Sequence, residues 1–374
     1  MAAIDRLFEK MLALKASDLH LLESQPPKVR QHGHVVALEG EPPLTKAVIT
    51  SMLEEICPRR RWKIFLRSGD ADFAYAMGEE ARFRANYYKG VTGIGAVFRI
   101  IPVKILTLDM LKAPEIFKEF VSYKMGLVLV TGPTGSGKTT TLYSALSEIN
   151  TVDKKIITNE DPVEYDIDGL IQVPINPEVN MTYAKALRAI LRQDPDVIFV
   201  GEIRDIETGG IAVEAALTGH LVLSTLHTND APSVVTRLVD LGIEPFLLSA
   251  VLEGVIAQRL VRKICQECKV QYTPEVEELM EIGLKPDMVA GRQFFYGQGC
   301  KKCNTTGYKG RQAIFEMFLG TPAVKEMIAA NAKLNDLRRQ ARKDGMRVLR
   351  EAGITAVYEG RTTIEEIVRE TVLH

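Results

Sequence analysis

Residues Gly132-Pro133-Thr134-Gly135-Ser136-Gly137-Lys138-Thr139 directly follow the apolar run Leu127–Val130, and their types and spacing suit the phosphates of a nucleoside triphosphate such as ATP. Glycines let such a turn close around phosphate oxygens. The backbone N–H groups opening the next helix add a concave positive site. Lys138 would reach the outer phosphates and the Thr139 hydroxyl would hold magnesium (Mg2+), with Thr140 next on the same turn. A second set of residues could hold a metal. Cys265-Gln266-Glu267-Cys268 and Cys300-Lys301-Lys302-Cys303 each place two thiols on one tight turn. Four thiolates satisfy tetrahedral zinc with no open position, so Cys265, Cys268, Cys300 and Cys303 predict a structural Zn2+ site. Gly299 and Gly307 suit the tight backbone around the second pair, and Cys57 reads as ordinary packing.

Hydrolysis of a bound triphosphate needs magnesium held, a water oriented and the transferring oxygens neutralised. Open α/β sheets bind ligands beyond the carboxyl ends of their strands. Three apolar runs, Ile156–Thr158, Val197–Val200 and Leu221–Thr225, read as central parallel strands, and each is followed by useful chemistry. Glu202 is the expected residue for water activation or orientation. Glu160 and Asp161 are expected to support magnesium or the water network, with Glu160 an alternative base. His227 is expected to sense the γ-phosphate, whereas His220 belongs at the opposite end of its strand. Asp196 precedes its strand and is read as structural. No arginine is evident beside Lys138, so a cation from another subunit or domain is expected. Arg82, Arg84 and Arg99 on strand-like segments are the candidates, while Arg204 could pair with an acidic neighbour.

These residues require elements to position them. The 374 residues suit two or three domains, and the formal net charge of -1 gives no global argument for nucleic acid. No stretch is apolar for long enough to span a bilayer, and the first thirty residues do not read as a secretory signal. Residues 1–102 read as a small α+β domain, with a helix at Ile4–Leu14 and strands at Asp18–Leu22, Lys28–Arg30, Arg82–Tyr88 and Ala96–Ile100. Gly90, Gly93 and Gly95 are assigned to a turn before the last strand. Residues 103–124 read as a connecting segment with a helix at Ala113–Phe120. Residues 125–264 read as alternating strands and helices, with helices at Thr140–Ile149, Tyr183–Arg192 and Ile211–Leu217. The four-cysteine region follows at 265–303, its centre expected as a long loop or small helical insertion. Residues 304–374 are expected to be helical.

Longer motifs resemble the secretion ATPases of type II secretion and type IV pilus systems, within the type II/IV secretion group. The resemblance rests on Gly132–Thr139, on Ile156–Glu164, on Leu191–Asp205 with Glu202, on Thr218–Asn229, on Ile256–Val261 and on Ala16–Leu21. It implies a PAS-like N-terminal domain joined to a RecA-like ATPase domain, assembled as a homo-hexameric ring. It also implies that ATP turnover drives an inner-membrane platform protein on which pilin or pseudopilin subunits are added or removed. The chain is then expected to be cytoplasmic and peripheral at the inner membrane through partner proteins, with no direct contact to nucleic acid. The resemblance supports Glu202 as catalytic and Arg82, Arg84 and Arg99 as arginine fingers. Asn159 departs from the apolar residue commonly found there, with no evident chemical consequence. The four cysteines look like the assembly or secretion branch, whereas the short start before Ser17 looks like the retraction branch. Assembly or secretion is the favoured expectation, with retraction and a RecA-like nucleic-acid translocase as alternatives.

Overall fold

The computed structural model describes residues 2–31, 34–78, 80–101, 105–176 and 179–371. It forms two compact units, residues 1–104 and 105–374. The boundary expected at 102–103 and the outermost residues of both end regions lie outside the described residues.

The first unit is a PAS-like α+β domain. Its elements are α1 (Asp5–Ala13), β1 (Asp18–Leu22), β2 (Lys28–Gln31), β3 (His34–Ala37), α2 (Lys46–Ile56), α3 (Arg59–Ser68), β4 (Asp70–Met77), β5 (Ala81–Gly90) and β6 (Gly93–Ile101). The strands form one antiparallel sheet in the order β3-β2-β1-β6-β5-β4. Strand periodicity sorts its faces: on β5, Phe83, Ala85 and Tyr87 are buried, while Arg82, Arg84 and Asn86 point the other way. The apolar face packs with Leu7, Phe8, Leu53 and Phe65 from the three helices. The expected glycine turn is shorter than read. Gly93 and Gly95 belong to β6, and only Val91 and Thr92 separate it from β5. Within the strand, glycine at position 95 leaves room for the Tyr88 ring, which a Cβ there would meet at 2.4 Å.

The second unit contains α4 (Glu115–Ser122), β7 (Gly126–Thr131), α5 (Lys138–Ile149), β8 (Ile156–Glu160), β9 (Leu170–Pro174), α6 (Tyr183–Ile190), β10 (Val197–Val200), α7 (Ile206–Leu217), β11 (Leu221–Leu226), α8 (Ser233–Asp240), α9 (Pro245–Val251), β12 (Leu252–Ile264), β13 (Lys269–Tyr272), α10 (Val276–Glu281), β14 (Phe294–Gly297), β15 (Tyr308–Leu319), α11 (Pro322–Ala329), α12 (Leu334–Lys343), α13 (Leu349–Tyr358) and α14 (Ile364–Glu370). Its main sheet has the order β15-β12-β7-β11-β10-β8-β9. Every neighbouring pair is parallel except β12 with β15. This is a RecA-like sheet with a core on each face. On β7, Leu127 and Leu129 enter one core while Val128 and Val130 enter the other. Among the described residues no helix is long and apolar enough to cross a membrane.

Two regional expectations need correction. Residues 304–374 are not wholly helical, because β15 supplies a twelve-residue strand antiparallel to β12. Charged Lys309, Arg311 and Glu316 interrupt its apolar pattern in the sequence. The centre of the four-cysteine region is also not a loop or a purely helical insertion. β13 and β14 pair antiparallel there and flank α10, whose Leu279 is buried in the unit's core.

Candidate active site

β7 is buried along its whole length and delivers the chain to a loop that only glycine can follow at three positions. Gly132, Gly135 and Gly137 have φ of +145°, +81° and +90°. Space is short as well as conformation. A Cβ on Gly132 would lie 2.5 Å from the Gln258 carbonyl oxygen, and one on Gly137 would lie 2.8 Å from the Gln258 side-chain nitrogen. Lys138 opens α5 and folds back over the loop, where Nζ donates to the carbonyls of Gly132 (2.8 Å) and Pro133 (3.2 Å). Burial pushes the Lys138 ammonium down to about 8; Arg259 adds to this and Glu202 opposes it. Ser136 Oγ is buried with no hydrogen-bond partner among the described residues. Pro133, Thr134, Gly135 and Thr139 are exposed, and Thr140 is half-buried. Partly paired donors and an outward threonine fit a phosphate group with its magnesium.

β12 underlies this loop, a contribution the sequence motifs did not reveal. Gln258 Nε2 donates to the Ser136 carbonyl and Gln258 Oε1 accepts from the Thr141 hydroxyl, both at 2.8 Å. The Arg259 guanidinium is buried and donates to the carbonyls of Gln258 (3.1 Å) and Asn229 (2.8 Å). Its Nη1 lies 3.2 Å from where a Gly132 Cβ would stand. The expectation of no arginine beside Lys138 is therefore corrected. Arg259 arrives from a strand more than a hundred residues later, which local reading could not bring to the loop. Its signal was a polar Gln-Arg pair inside the apolar run Val255–Val261.

The carboxyl ends of β7, β11, β10 and β8 are tied in sheet order. Thr228 N donates to Thr131 Oγ1 at 2.8 Å, Thr225 Oγ1 to the Gly201 carbonyl at 2.7 Å, and Gly201 N to the Asn159 carbonyl at 2.9 Å. Asn159 has a consequence after all: its buried Nδ2 donates to the Tyr183 carbonyl at 3.1 Å and fastens the start of α6 to β8. Glu202 follows β10, where Oε1 pairs with Arg204 Nη2 at 2.5 Å and Oε2 lies 3.7 Å from His227 Nε2. Burial and Lys138 push the His227 imidazolium down, with Glu202 pulling the other way. Lys138, Glu202, Arg204 and His227 thus share one electrostatic neighbourhood. Asp161 is exposed, and its charge reaches both Arg204 and Tyr183.

Glu160 is the last residue of β8 and is buried. Its carboxylate accepts from the hydroxyls of Tyr143 and Thr158 and from Gln172 Nε2 (3.1 Å). Burial pushes this carboxyl up, and the three donors restrain the rise. Its hydrogen bonds therefore fasten it to α5, β8 and β9. At the other end of the sheet, Asp196 Oδ2 accepts from Lys155 N at 2.7 Å and His220 Nδ1 lies 2.9 Å from the Ala215 carbonyl. Arg82, Arg84 and Arg99 lie in the first unit, on β5 and β6.

The four cysteine sulfurs lie within 4.8 Å of one another. Cys265–Cys300, Cys268–Cys303 and Cys300–Cys303 are separated by 3.9, 3.8 and 3.7 Å. Four sulfurs about 2.3 Å from a tetrahedral zinc would be about 3.8 Å apart. Three of the separations match that spacing, and four thiols gathered this closely are a donor set suited to that ion. Gly297 and Gly307 bring the two walls together, since a Cβ on Gly297 would fall 2.1 Å from the Gly307 carbonyl oxygen.

A family model described as "Type II/IV secretion system protein" matches residues 2–369. The chain belongs to the type II/IV secretion system protein family. Among curated members of this family, it is 42% identical over 373 residues to the "Type IV pilus assembly ATPase PilB" of Myxococcus xanthus, covering 96% of this chain and 65% of that one. It is 39% identical over 388 residues to the "Type II secretion system protein E" of Xanthomonas campestris pv. campestris, covering 98% and 66%. The chain spans less than two thirds of the length of these curated relatives. Among solved structures, the secretion-family fold superimposes on the "Pilus Retraction Motor PilT and Bound ADP" with a TM-score of 0.79 and 30% identity, covering 99% of this chain and 96% of that one.

Proposed function

We propose that the protein hydrolyses ATP to ADP and phosphate and couples this to assembly of a type IV pilus or a type II secretion pseudopilus. The observation that carries the proposal is the convergence of Lys138, Glu202 and His227 around the phosphate loop, in a chain that shares 42% identity with a pilus assembly ATPase. The loop and Lys138 bind the outer phosphates, while Thr139 and Asp161 are the residues that would hold magnesium. The metal supplies charge neutralisation at the phosphate oxygens when bound. Glu202 orients the attacking water, and Arg204 and His227 fix the direction of its two oxygens. Glu160 acts through Tyr143 and Thr158 as support for the water network. Arg259 contributes a cation to the base of the loop. A cavity of about 950 Å³ reaches Thr140 and Thr141 behind the loop; Leu106, Met110, Leu111 and Leu260 line it together with Lys112, Lys263 and Arg311, and it is large enough to take the nucleoside.

In this reading a homo-hexameric ring places Arg82, Arg84 or Arg99 against the nucleotide of the next subunit, so that turnover depends on assembly. The ring works in the cytoplasm at the inner membrane, docked on a platform protein. The four cysteines hold one structural zinc. The likeness to a retraction motor supports retraction as the second reading, but both curated relatives named above are assembly or secretion proteins. Steady-state phosphate release, measured with and without the platform protein, tests the proposal. Stimulation by that protein is expected. Strong stimulation by DNA instead, with no response to the platform protein, would make the chain a nucleic-acid translocase.

A further inference from the structure

The motif Ala16–Leu21 plays no part in the site above, yet two of its polar residues lie on the helix-free face of the first unit's sheet. Asp18 on β1 stands directly across from Arg30 on β2 and Arg99 on β6, and Arg99 stands across from Arg84 on β5. Arg30, Asp18, Arg99 and Arg84 thus stand in one cross-strand row.

Asp18 is built to hold one of these arginines in place. Its side chain is 4% exposed, and both of its oxygens are engaged. Ser17 Oγ donates to Oδ2 at 2.6 Å, Arg99 Nε donates to Oδ1 at 2.9 Å, and Arg30 Nε lies 3.8 Å from Oδ2. Burial alone would raise the Asp18 carboxyl, but Ser17 and Arg99 hold it below the usual carboxylate range. The Arg99 side chain nevertheless remains 71% exposed. A guanidinium carries five N–H donors in a rigid plane. Held through Nε, Arg99 keeps its terminal amino groups for a ligand beyond the unit. A surface ion pair with no further role would have little reason to bury its carboxylate this completely.

We infer that Asp18, fixed by Ser17, is a positioning residue that locks Arg99 so that its terminal amino groups meet a phosphate bound on a second copy of the chain. The inference rests on the proposed action of a first-unit arginine across subunits.

The test uses the full assembled chain and ATP turnover. Arg99→Ala is expected to lower kcat by about a hundredfold or more without weakening ADP binding. Asp18→Asn is expected to lower kcat by about tenfold with KM unchanged, because Arg99 remains but is misaimed. Arg99→Ala with Asp18→Asn should be no slower than Arg99→Ala alone, whereas a merely structural Asp18 would add its own loss. Ser17→Ala, expected to give a smaller kcat loss, replaces Asp18→Asn should that variant not fold. Mixing Lys138→Ala subunits, which offer an intact Arg99, should restore turnover to Arg99→Ala or Asp18→Asn subunits. Full kcat in both Asp18→Asn and Ser17→Ala, or multiplying losses in the double variant, would overturn the positioning role while leaving the Arg99 reading intact. A normal kcat in Arg99→Ala, or no recovery on mixing, would overturn the action across subunits and the inference with it.

Discussion

In the proposed function Lys138 and Glu202 carry the chemistry at the scale of single residues, and each makes a separate prediction. Glu202→Gln keeps the shape and loses the charge that orients the water. Phosphate release should fall by about 10²–10⁴-fold, while ADP binding measured by fluorescence should stay near that of the native chain. Lys138 sits in a loop that disfavours its charge, with its ammonium pushed down to about 8 from an ordinary 10.5. Below about pH 8 the empty site therefore holds a charged lysine. As pH rises through that value the proton is lost and attraction to phosphates falls with it. ADP affinity should decline between about pH 8 and 10.5, and a flat profile across that window would contradict the assignment. The unfolded chain binds more protons in the same window, so this lysine makes the nucleotide-free fold gain stability with rising pH there. The residues named around the phosphate loop were legible because glycine spacing and a following lysine demand one backbone shape. Arg259 was not, since its neighbourhood is created by strand order rather than by sequence distance.

Elements explain why those residues hold their geometry. The Gln258 amide joins β12 to the phosphate loop and to α5 through two hydrogen bonds. Gln258→Leu keeps the volume but leaves the Ser136 carbonyl unpaired. About 1–3 kcal/mol of loop stability should be lost, and the nucleotide Kd should rise by about tenfold in equilibrium binding. The four-cysteine turn makes a prediction of its own. Elemental measurement should find about one zinc per chain, and chelation should lower the thermal unfolding temperature. A metal-free protein with unchanged unfolding would remove zinc from the account. Parallel strands β7, β8, β10 and β11 could be read from short apolar runs, each followed by a glycine-rich loop or by charged residues or a histidine. β12 and β15 resisted that reading, because Gln258, Arg259 and Glu316 are buried polar residues, each with a partner far away in the chain. Glu316 accepts from Ala231 N and Leu349 N, so its charge serves two distant segments and breaks its own strand's pattern.

The whole molecule pairs a helix-backed sheet carrying a row of arginines with a RecA-like unit carrying the proposed nucleotide site. The change to strand–helix succession is read at Met125, whereas the second unit begins at Ile105 and takes in α4, so the segment read as a connector belongs to it. The cation row needs strand register to be seen: Asp18, Arg84 and Arg99 are far apart in the chain and meet only when β1, β6 and β5 pair. An assembled motor follows if one unit supplies the charge that another subunit's nucleotide lacks. Activity should then rise more steeply than protein concentration as rings form, and phosphate release across a dilution series measures this. The most direct measurement is steady-state phosphate release by assembled protein carrying Lys138→Ala, with thermal unfolding as the check on folding. The account predicts hydrolysis at background with the fold intact. Native-like hydrolysis by that variant would contradict the phosphate-loop assignment on which the motor rests.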